Sequence, residues 1–277
     1  QILDGRRFPQ VLIDEATQAT EPASLVPLIR GARQVVLVGD HKQLPPTVLS
    51  FRAEEKGLRR SLFERLVDLG IEPLLLTKQY RMHPAISKFP NQQFYSNKLI
   101  DGVSAENRPA PAGLLWPDWD NPVAFIPVDG GEVVSPDGTS RENPIEVSWV
   151  LKITEDLLDA GELTKKDIGI ITPYAGQVRA IRNSMSEELD DVEVRTVDGY
   201  QGREKEVIIF SCVRSNPEQN VGFLAEPRRL NVALTRAKRG LIVIGDPSTL
   251  RSDENWQAWL EYIRNSKFEA WHLLGMT

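Results

Sequence analysis

The chain has 277 residues, 41% of them hydrophobic, with a formal charge of −6 and a pI near 5.3, enough for one large domain or two ordinary ones with buried cores. No apolar run approaches the roughly 18 residues that cross a bilayer, and the opening QILDGRRFPQ has neither a cationic leader nor an apolar signal core. The one cysteine, Cys212, excludes a disulfide framework and a cysteine-ligated metal within one chain, so a soluble protein of a reducing compartment, cytoplasm or nucleus, is expected.

Short apolar runs alternate with segments of helical period almost throughout. Strands are predicted at Val11–Asp14, Gln34–Gly39, Leu74–Thr77, Val123–Val128, Ile168–Thr172, Val192–Val197, Val207–Val213 and Leu241–Gly245. Several are apolar on consecutive residues, the pattern of strands covered on both faces. Ile145, Trp149, Ile153 and Leu157 form one predicted helix stripe, and Val178, Ile181, Met185 and Leu189 another. This alternation predicts an α/β protein with mainly parallel sheets. Residues 105–139, rich in proline, read as connection around one strand. The first strand that carries function begins so near the start that no earlier βα unit fits before it, and the sequence reads as beginning inside a domain.

The first motif is VLIDEATQ, residues 11–18. Adjacent acids at a strand's carboxyl end suit nucleotide hydrolysis, where Asp14 would position Mg²⁺ and Glu15 the attacking water; the same pair also reads as solvated acids opening a turn before a helix at Glu21. In VVLVGDHKQLPP, residues 35–46, a buried strand ends at Gly39 and Asp40, and Gln43 is held between Asp40 and the prolines Pro45 and Pro46. An ordinary proline-stiffened turn has this pattern. If the two strands are neighbours, Gln43 reaches the edge that holds Asp14 and Glu15, and its amide both donates to a phosphate oxygen and accepts from water.

In TKQYRMHP, residues 77–84, Tyr80 offers a flat face to a base, Arg81 a fork to phosphate or to a surface carboxylate, and Pro84 a helix start. His83 reads as a structural hydrogen bonder. IITPYAGQ, residues 170–177, runs from a strand into a helix N-terminus at Ala175, with Tyr174 placed to stack or to pack. RTVDGYQGREKEVIIFS, residues 195–211, crowds Gln201, Arg203 and Glu204 around Gly199 and Gly202, where the backbone can approach a ligand closely. PRRLNVALTRAKRG, residues 227–240, predicts a helix that starts at Pro227 and has Gly240 after its end, with Leu230, Ala233, Leu234 and Ala237 packed. Arg229 and Arg236 would share a neighbouring face, either solvated or aimed at phosphate. Between Arg195 and Arg239 nine Lys or Arg stand against five Asp or Glu, a local basic excess that suggests a nucleic-acid track.

Taken in order, VLIDEATQATEP, VLVGDHKQLPP, LFERL, QYRMHP, IGIITPYAGQ, TVDGYQGREKEVIIFSCVR, VGFL and RRLNVALTRAK resemble motifs II through VI of superfamily 1 helicases of the Upf and Sen type, over roughly residues 10–265. The resemblance implies two RecA-like α/β domains, with ATP between them and single-stranded RNA or DNA across their top, moved 5′ to 3′. It implies that Asp14 binds Mg²⁺, Glu15 polarises the water, Gln43 senses the γ-phosphate and Tyr80 stacks near the adenine. Arg81 and Arg236 would contact the γ-phosphate, with Gly202 and Glu204 beside the nucleotide. Pro45, Thr172, Pro173, Tyr174, Thr196 and Asp198 fall where such enzymes line the nucleic-acid track or couple it to ATP.

Residues 1–76 are then expected to be the rear of the first domain and 77–277 the second. No G-x-x-x-x-G-K-[ST] occurs in the sequence, so the loop that cradles the phosphates is expected in an N-terminal part of the same protein. A nucleic-acid-binding or partner-binding helicase remnant that does not hydrolyse ATP is the alternative.

Overall fold

The computed structural model describes residues 5–270 and Leu273. The chain divides into two units, Gln1–Leu75 and Leu76–Thr277. In the first, β1 (Gln10–Ile13) and β2 (Gln34–Leu37) pair in parallel, with Ile13 opposite Leu37. α1 (Glu21–Leu28) connects them and has Pro22 in its first turn, where a missing N–H leaves no bond unmade. α2 (Phe51–Glu55) and α3 (Leu62–Asp68) start at Ser50 and Ser61, whose hydroxyls accept from Ala53 N and Glu64 N. Arg65 donates Nε and Nη2 to the Glu21 carboxylate at 2.8 and 2.7 Å, tying α3 to α1; these hydrogen bonds hold the Glu21 carboxyl below its usual range. Covered strands are not found here: Leu12 is 67% and Val36 52% exposed, because the described residues lay no helix over that face of the two-stranded ladder.

The second unit begins where the predicted strand Leu74–Thr77 does not form. Leu74 is 98% exposed, and the ladder starts only at β3 (Lys78–Gln79), parallel to β4 (Ile100–Asp101); apolar residues make a strand only where a partner meets them. α4 (Pro84–Phe94) lies between. Then come β5 (Val123–Pro127), the hairpin β6 (Val133–Val134) and β7 (Arg141–Glu142), α5 (Pro144–Asp159), β8 (Ile168–Thr172), α6 (Ala175–Ser184), β9 (Glu193–Thr196), the short α7 (Val197–Tyr200), β10 (Lys205–Ser211), α8 (Pro227–Leu234), β11 (Ala237–Gly245), α9 (Pro247–Leu250) and α10 (Glu254–Ser266).

Five of these strands form a parallel sheet in the order β5-β11-β10-β8-β9. This is the expected α/β architecture, and its strands are covered on both faces. Alternate side chains take opposite sides: Ile126, Ile170, Ile209 and Ile242 pack with Val147, Val150, Ile153 and Leu157 of α5 and Ile181 of α6. On the other side Phe125 and Phe210 meet Trp259 and Trp256 of α10 at ring distances of 5.3 and 6.0 Å.

Three helix expectations need correction. The packed face of α5 is Val147, Val150, Ile153 and Leu157, whereas Ile145 is 42% exposed. α6 ends at Ser184, so Met185 and Leu189 pack from beyond it. α8 ends at Leu234: Thr235 Oγ1 bonds back to Asn231 O at 2.6 Å, and Ala237 is captured by the ladder opposite Lys205. Arg229 and Arg236 therefore share no helix face.

Glu146 of α5 is fully buried beneath the end of β10. Both its oxygens lie 2.9 Å from Val213 N, and Ser211 Oγ is 2.5 Å from Oε2. Val213 has φ of +73°, a strained value for a β-branched residue, and Asn143 Nδ2 also bonds its carbonyl at 3.1 Å. Burial pushes the Glu146 carboxyl up to about 8, against the hydrogen bonds from Ser211 and Val213. The folded protein thus keeps a proton that the unfolded chain releases near 4.5, and stability falls as pH rises through that window. Thermal unfolding between pH 5 and 8 is expected to show this decline, on the order of a few kcal/mol, and to lose it in Glu146→Gln. An unchanged slope in the variant would show that Glu146 is ionised in the fold.

Candidate functional site

In the first unit the parallel pairing of β1 and β2 puts Asp14, Glu15, Asp40 and Gln43 past the carboxyl ends of adjacent strands. The ladder continues into the loops through Val38 N to Ile13 O at 2.9 Å and Ala16 N to Val38 O at 2.7 Å. Asp40 fixes the following turn: its carboxylate accepts from Lys42 N and from Gln43 Nε2, each at 2.9 Å, and its carbonyl from Gln43 N at 3.0 Å. Leu44 and Pro46 are buried and Pro45 half-buried, so the loop is anchored on both sides of Gln43. Gly39 admits the neighbouring turn, since a Cβ there would lie 3.0 Å from Thr17, whose hydroxyl is buried with no hydrogen-bond partner among the described residues.

Asp14 and Glu15 are both exposed. Asp14 Oδ1 accepts from Glu15 N at 2.9 Å, and Gln18 Nε2 donates to Glu15 Oε2 at 2.5 Å. Glu15 holds φ of +50°, rare away from glycine. Neither acid takes part in an ion pair among the described residues, which leaves carboxylate oxygens of the kind that suit a hydrated Mg²⁺.

In the second unit three distant motifs meet at the amino edge of the sheet. Glu204 directly precedes β10 and Arg236 directly precedes β11. Arg81 donates Nε to Glu204 Oε2 at 2.7 Å and Nη1 to Thr235 O at 3.0 Å. Arg236, 2% exposed, donates Nε to Val232 O at 3.0 Å and Nη2 to Thr235 Oγ1 at 2.9 Å. Lys238 Nζ stands 3.1 Å from Glu204 Oε1. Burial raises the Glu204 carboxyl, but the hydrogen bonds from Arg81 and Lys238 outweigh it and hold the group below its ordinary value.

Tyr80 is 61% exposed, with its ring against Gly102 and the Lys78 ammonium 5.5 Å from its centroid. Gly202 has φ of +76°, as a turn that favours glycine requires, and beside it Gln201 Nε2 is buried with no acceptor among the described residues. His83 is structural, its Nδ1 accepting from Ala85 N at 3.0 Å to cap α4; burial lowers its pKa.

Thr172, Pro173, Tyr174, Thr196 and Asp198 gather at the opposite, carboxyl edge. Thr172 and Thr196 are register partners at the ends of β8 and β9. Thr172, Pro173 and Tyr174 are buried. The Tyr174 hydroxyl accepts from Phe223 N and Arg214 Nη1, each at 3.2 Å, and its ring lies 5.4 Å from that of Phe223. Thr196 Oγ1 caps α7 by accepting from Gly199 N at 3.3 Å, and exposed Asp198 receives Arg229 Nε at 3.0 Å. An open cavity of about 450 Å³ lies here, lined by Arg141, Tyr174, Arg214 and Phe223 among others.

The basic excess of the sequence is not a continuous track. Arg195, Arg203 and Lys205 share Glu193, Arg214 pairs with buried Glu132, Arg229 with Asp198, and Arg239 with Glu162. Sequence reasoning missed Lys238 and Thr235, which flank Arg236, and Gln79, whose Oε1 accepts from Arg81 N at 3.0 Å and Met82 N at 2.8 Å; only their closeness to the motif arginines marked them.

Among known families, one described as an AAA domain matches residues 58–248, and a second AAA domain matches residues 1–51. The chain is 46% identical over 275 residues to the Regulator of nonsense transcripts 1 homolog of Drosophila melanogaster, covering 95% of this chain and 23% of that protein. It is 48% identical over 258 residues to ATP-dependent helicase upf1 of Schizosaccharomyces pombe, covering 90% and 28%. It thus spans about a quarter of the length of these relatives. A solved arterivirus helicase, nonstructural protein 10, is similar over 92% of this chain and 42% of that one, at 15% identity and a TM-score of 0.47. With residues 58–248 inside a single family match, the chain belongs to the AAA-domain family and stands there with the Upf-type helicases that its motifs resemble.

Proposed function

We propose that this chain carries motifs II to VI of an ATP-dependent helicase or translocase acting on single-stranded RNA or DNA, 5′ to 3′, in the cytoplasm or nucleus. Residues 1–76 would be the rear of the first RecA-like domain and 77–277 the second. The observation that carries the proposal is the cluster of Arg81, Glu204 and Arg236 around Thr235, beside exposed Tyr80: residues far apart in sequence form a cationic site next to an aromatic face.

ATP supplies the anhydride whose cleavage drives movement, and Mg²⁺ offsets phosphate charge when bound. Asp14 would hold the cation, and Glu15 would orient the attacking water. Gln43, kept in place by Asp40, would donate its amide to the γ-phosphate. Arg81 would exchange the Glu204 carboxylate for phosphate oxygens, and Arg236 would join it there; the arginine fork suits phosphate oxygens through charge-assisted, often bidentate bonds. Tyr80 would stack on the adenine, and Gly202 with Glu204 would border the nucleotide. At the carboxyl edge of the second unit Thr196 and Asp198 would meet the strand, with Thr172, Pro173 and Tyr174 buried next to them in sequence or register; in the first unit Pro45 is a further candidate for strand contact.

In the full-length protein, Arg236→Ala is expected to leave single-strand affinity near that of the parent and to reduce ATP turnover about 10³-fold, the usual effect of losing an arginine finger. Arg236→Lys keeps the charge but not the planar fork and should be nearly as slow. Steady-state ATPase assays with saturating single strand decide the matter, and an unchanged kcat in both variants would remove Arg236 from the chemistry.

The isolated 277 residues lack the G-x-x-x-x-G-K-[ST] loop, which supplies most of the phosphate donors. They are expected to show no strand-stimulated ATPase above background. Robust turnover by the isolated chain, abolished by Glu15→Gln, would mean that other residues hold the phosphates. A full-length protein that also fails to hydrolyse ATP would favour the non-hydrolysing remnant.

A further inference from the structure

We infer that Arg108 is a positioning residue for nucleotide chemistry, acting through the backbone of Tyr80 and Arg81; this rests on the helicase function proposed above. Its guanidinium donates Nε to Arg81 O at 3.0 Å, Nη2 to Tyr80 O at 3.1 Å and Nη1 to Asn107 O at 3.1 Å. All three acceptors are main-chain carbonyls, and no carboxylate pairs with Arg108 among the described residues. Arg179, by contrast, pairs with the Asp137 carboxylate. Here the planar fork is spent on two successive carbonyls, a geometry that a lysine point charge cannot reproduce.

The same dipeptide is gripped from its other side. Gln79 Oε1 accepts from the amides of Arg81 and Met82, and Gln79 Nε2 donates to Met82 O at 2.9 Å and Asp101 Oδ1 at 2.6 Å. The peptide groups around Arg81 thus have their N–H groups fixed by Gln79 and their carbonyls by Arg108. Arg108 is itself anchored. It closes a 3₁₀ turn over Ala105–Asn107, its N–H bonding Ala105 O at 2.9 Å, and Arg239 Nε of β11 holds the next carbonyl, Pro109 O, at 2.8 Å. β11 starts one residue after Arg236, so the connection 105–109 ties the backbone behind Arg81 to the strand that places Arg236. Small displacements of a phosphate-binding arginine carry large rate effects, about 10²-fold for 1 Å.

The test is a double-mutant cycle in the full-length protein, read as kcat for ATP with saturating single strand. Arg108→Ala is expected to lower kcat at least about tenfold, and Arg108→Lys to fall between it and the parent. Thermal midpoint and single-strand affinity without nucleotide should stay near the parent values. In an Arg81→Ala background, Arg108→Ala should add less than about twofold, because the group through which it acts is gone.

A full tenfold loss in that background, or a loss matched by a fall in thermal midpoint in both Arg108 variants, would overturn the inference and leave a general structural role. So would unchanged kcat in Arg108→Ala while Arg81→Ala is slow, with the helicase proposal intact. Unchanged kcat in Arg81→Ala would bring down the functional proposal and this inference together.

Discussion

Parallel pairing is the constraint on which the second unit depends. A parallel strand cannot return through a tight turn, so each connection must cross from the carboxyl edge of the sheet back to its amino edge. Two edges therefore carry loops, and they carry different chemistry. The amino edge gathers Glu204, Thr235 and Arg236 with Arg81, whereas the carboxyl edge gathers Thr172, Thr196 and the cavity beside Phe223. The segment between β9 and β10 belongs to both, since it leaves one edge at Thr196 and reaches the other at Glu204. Tyr200 fills the crossing, and β8 has a glycine, Gly169, where a Cβ would lie 2.0 Å from the tyrosine hydroxyl. One motif thus physically joins the two edges.

Charge in this unit is organised around a few carboxylates. Glu132 receives Arg214 Nε, Ser215 N and Asn216 Nδ2 on one oxygen and Arg141 on the other. Glu193 serves three cations and Glu204 two. An exposed or half-exposed pair contributes little by itself. Arg81 and Glu204, 31% and 42% exposed, are a pair of this kind. Arg214 and Glu132, at 8% and 3%, are a fixed part of the fold.

Burial beneath the carboxyl edge has a different character. Glu146, Asn143, Gln177 and Ser211 form a closed polar network whose members satisfy one another, and it supports the strained backbone at Val213 from which Arg214 departs. A buried polar group without partners is destabilising, while a satisfied network rigidifies. The rigidity falls where β10 must turn away from the sheet.

Much of this was legible along the chain. Consecutive apolar residues gave the covered strands at Ile168–Thr172 and Leu241–Gly245, proline and glycine marked helix starts and turns, and the Asp40 to Gln43 geometry follows from a short acid placed to accept from the Lys42 N–H and from the Gln43 side-chain amide. These are local effects with short-range causes. The end of α8 was not legible, because Thr235 caps the helix by bonding back to Asn231 and Ala237 takes a ladder partner more than thirty residues earlier, Lys205. The pairing of the basic cluster was not legible either, since its acids Glu132 and Glu162 come from other elements. Arg108 lies in a connection whose composition says only that it is irregular. Sequence alone determined the fold class and the local turns and helix starts, because periodicity and turn chemistry are written in neighbouring residues. Only the tertiary structure decided which arginine meets which carboxylate or carbonyl, because those contacts depend on strand order and on crossovers that bring distant residues within a few ångströms.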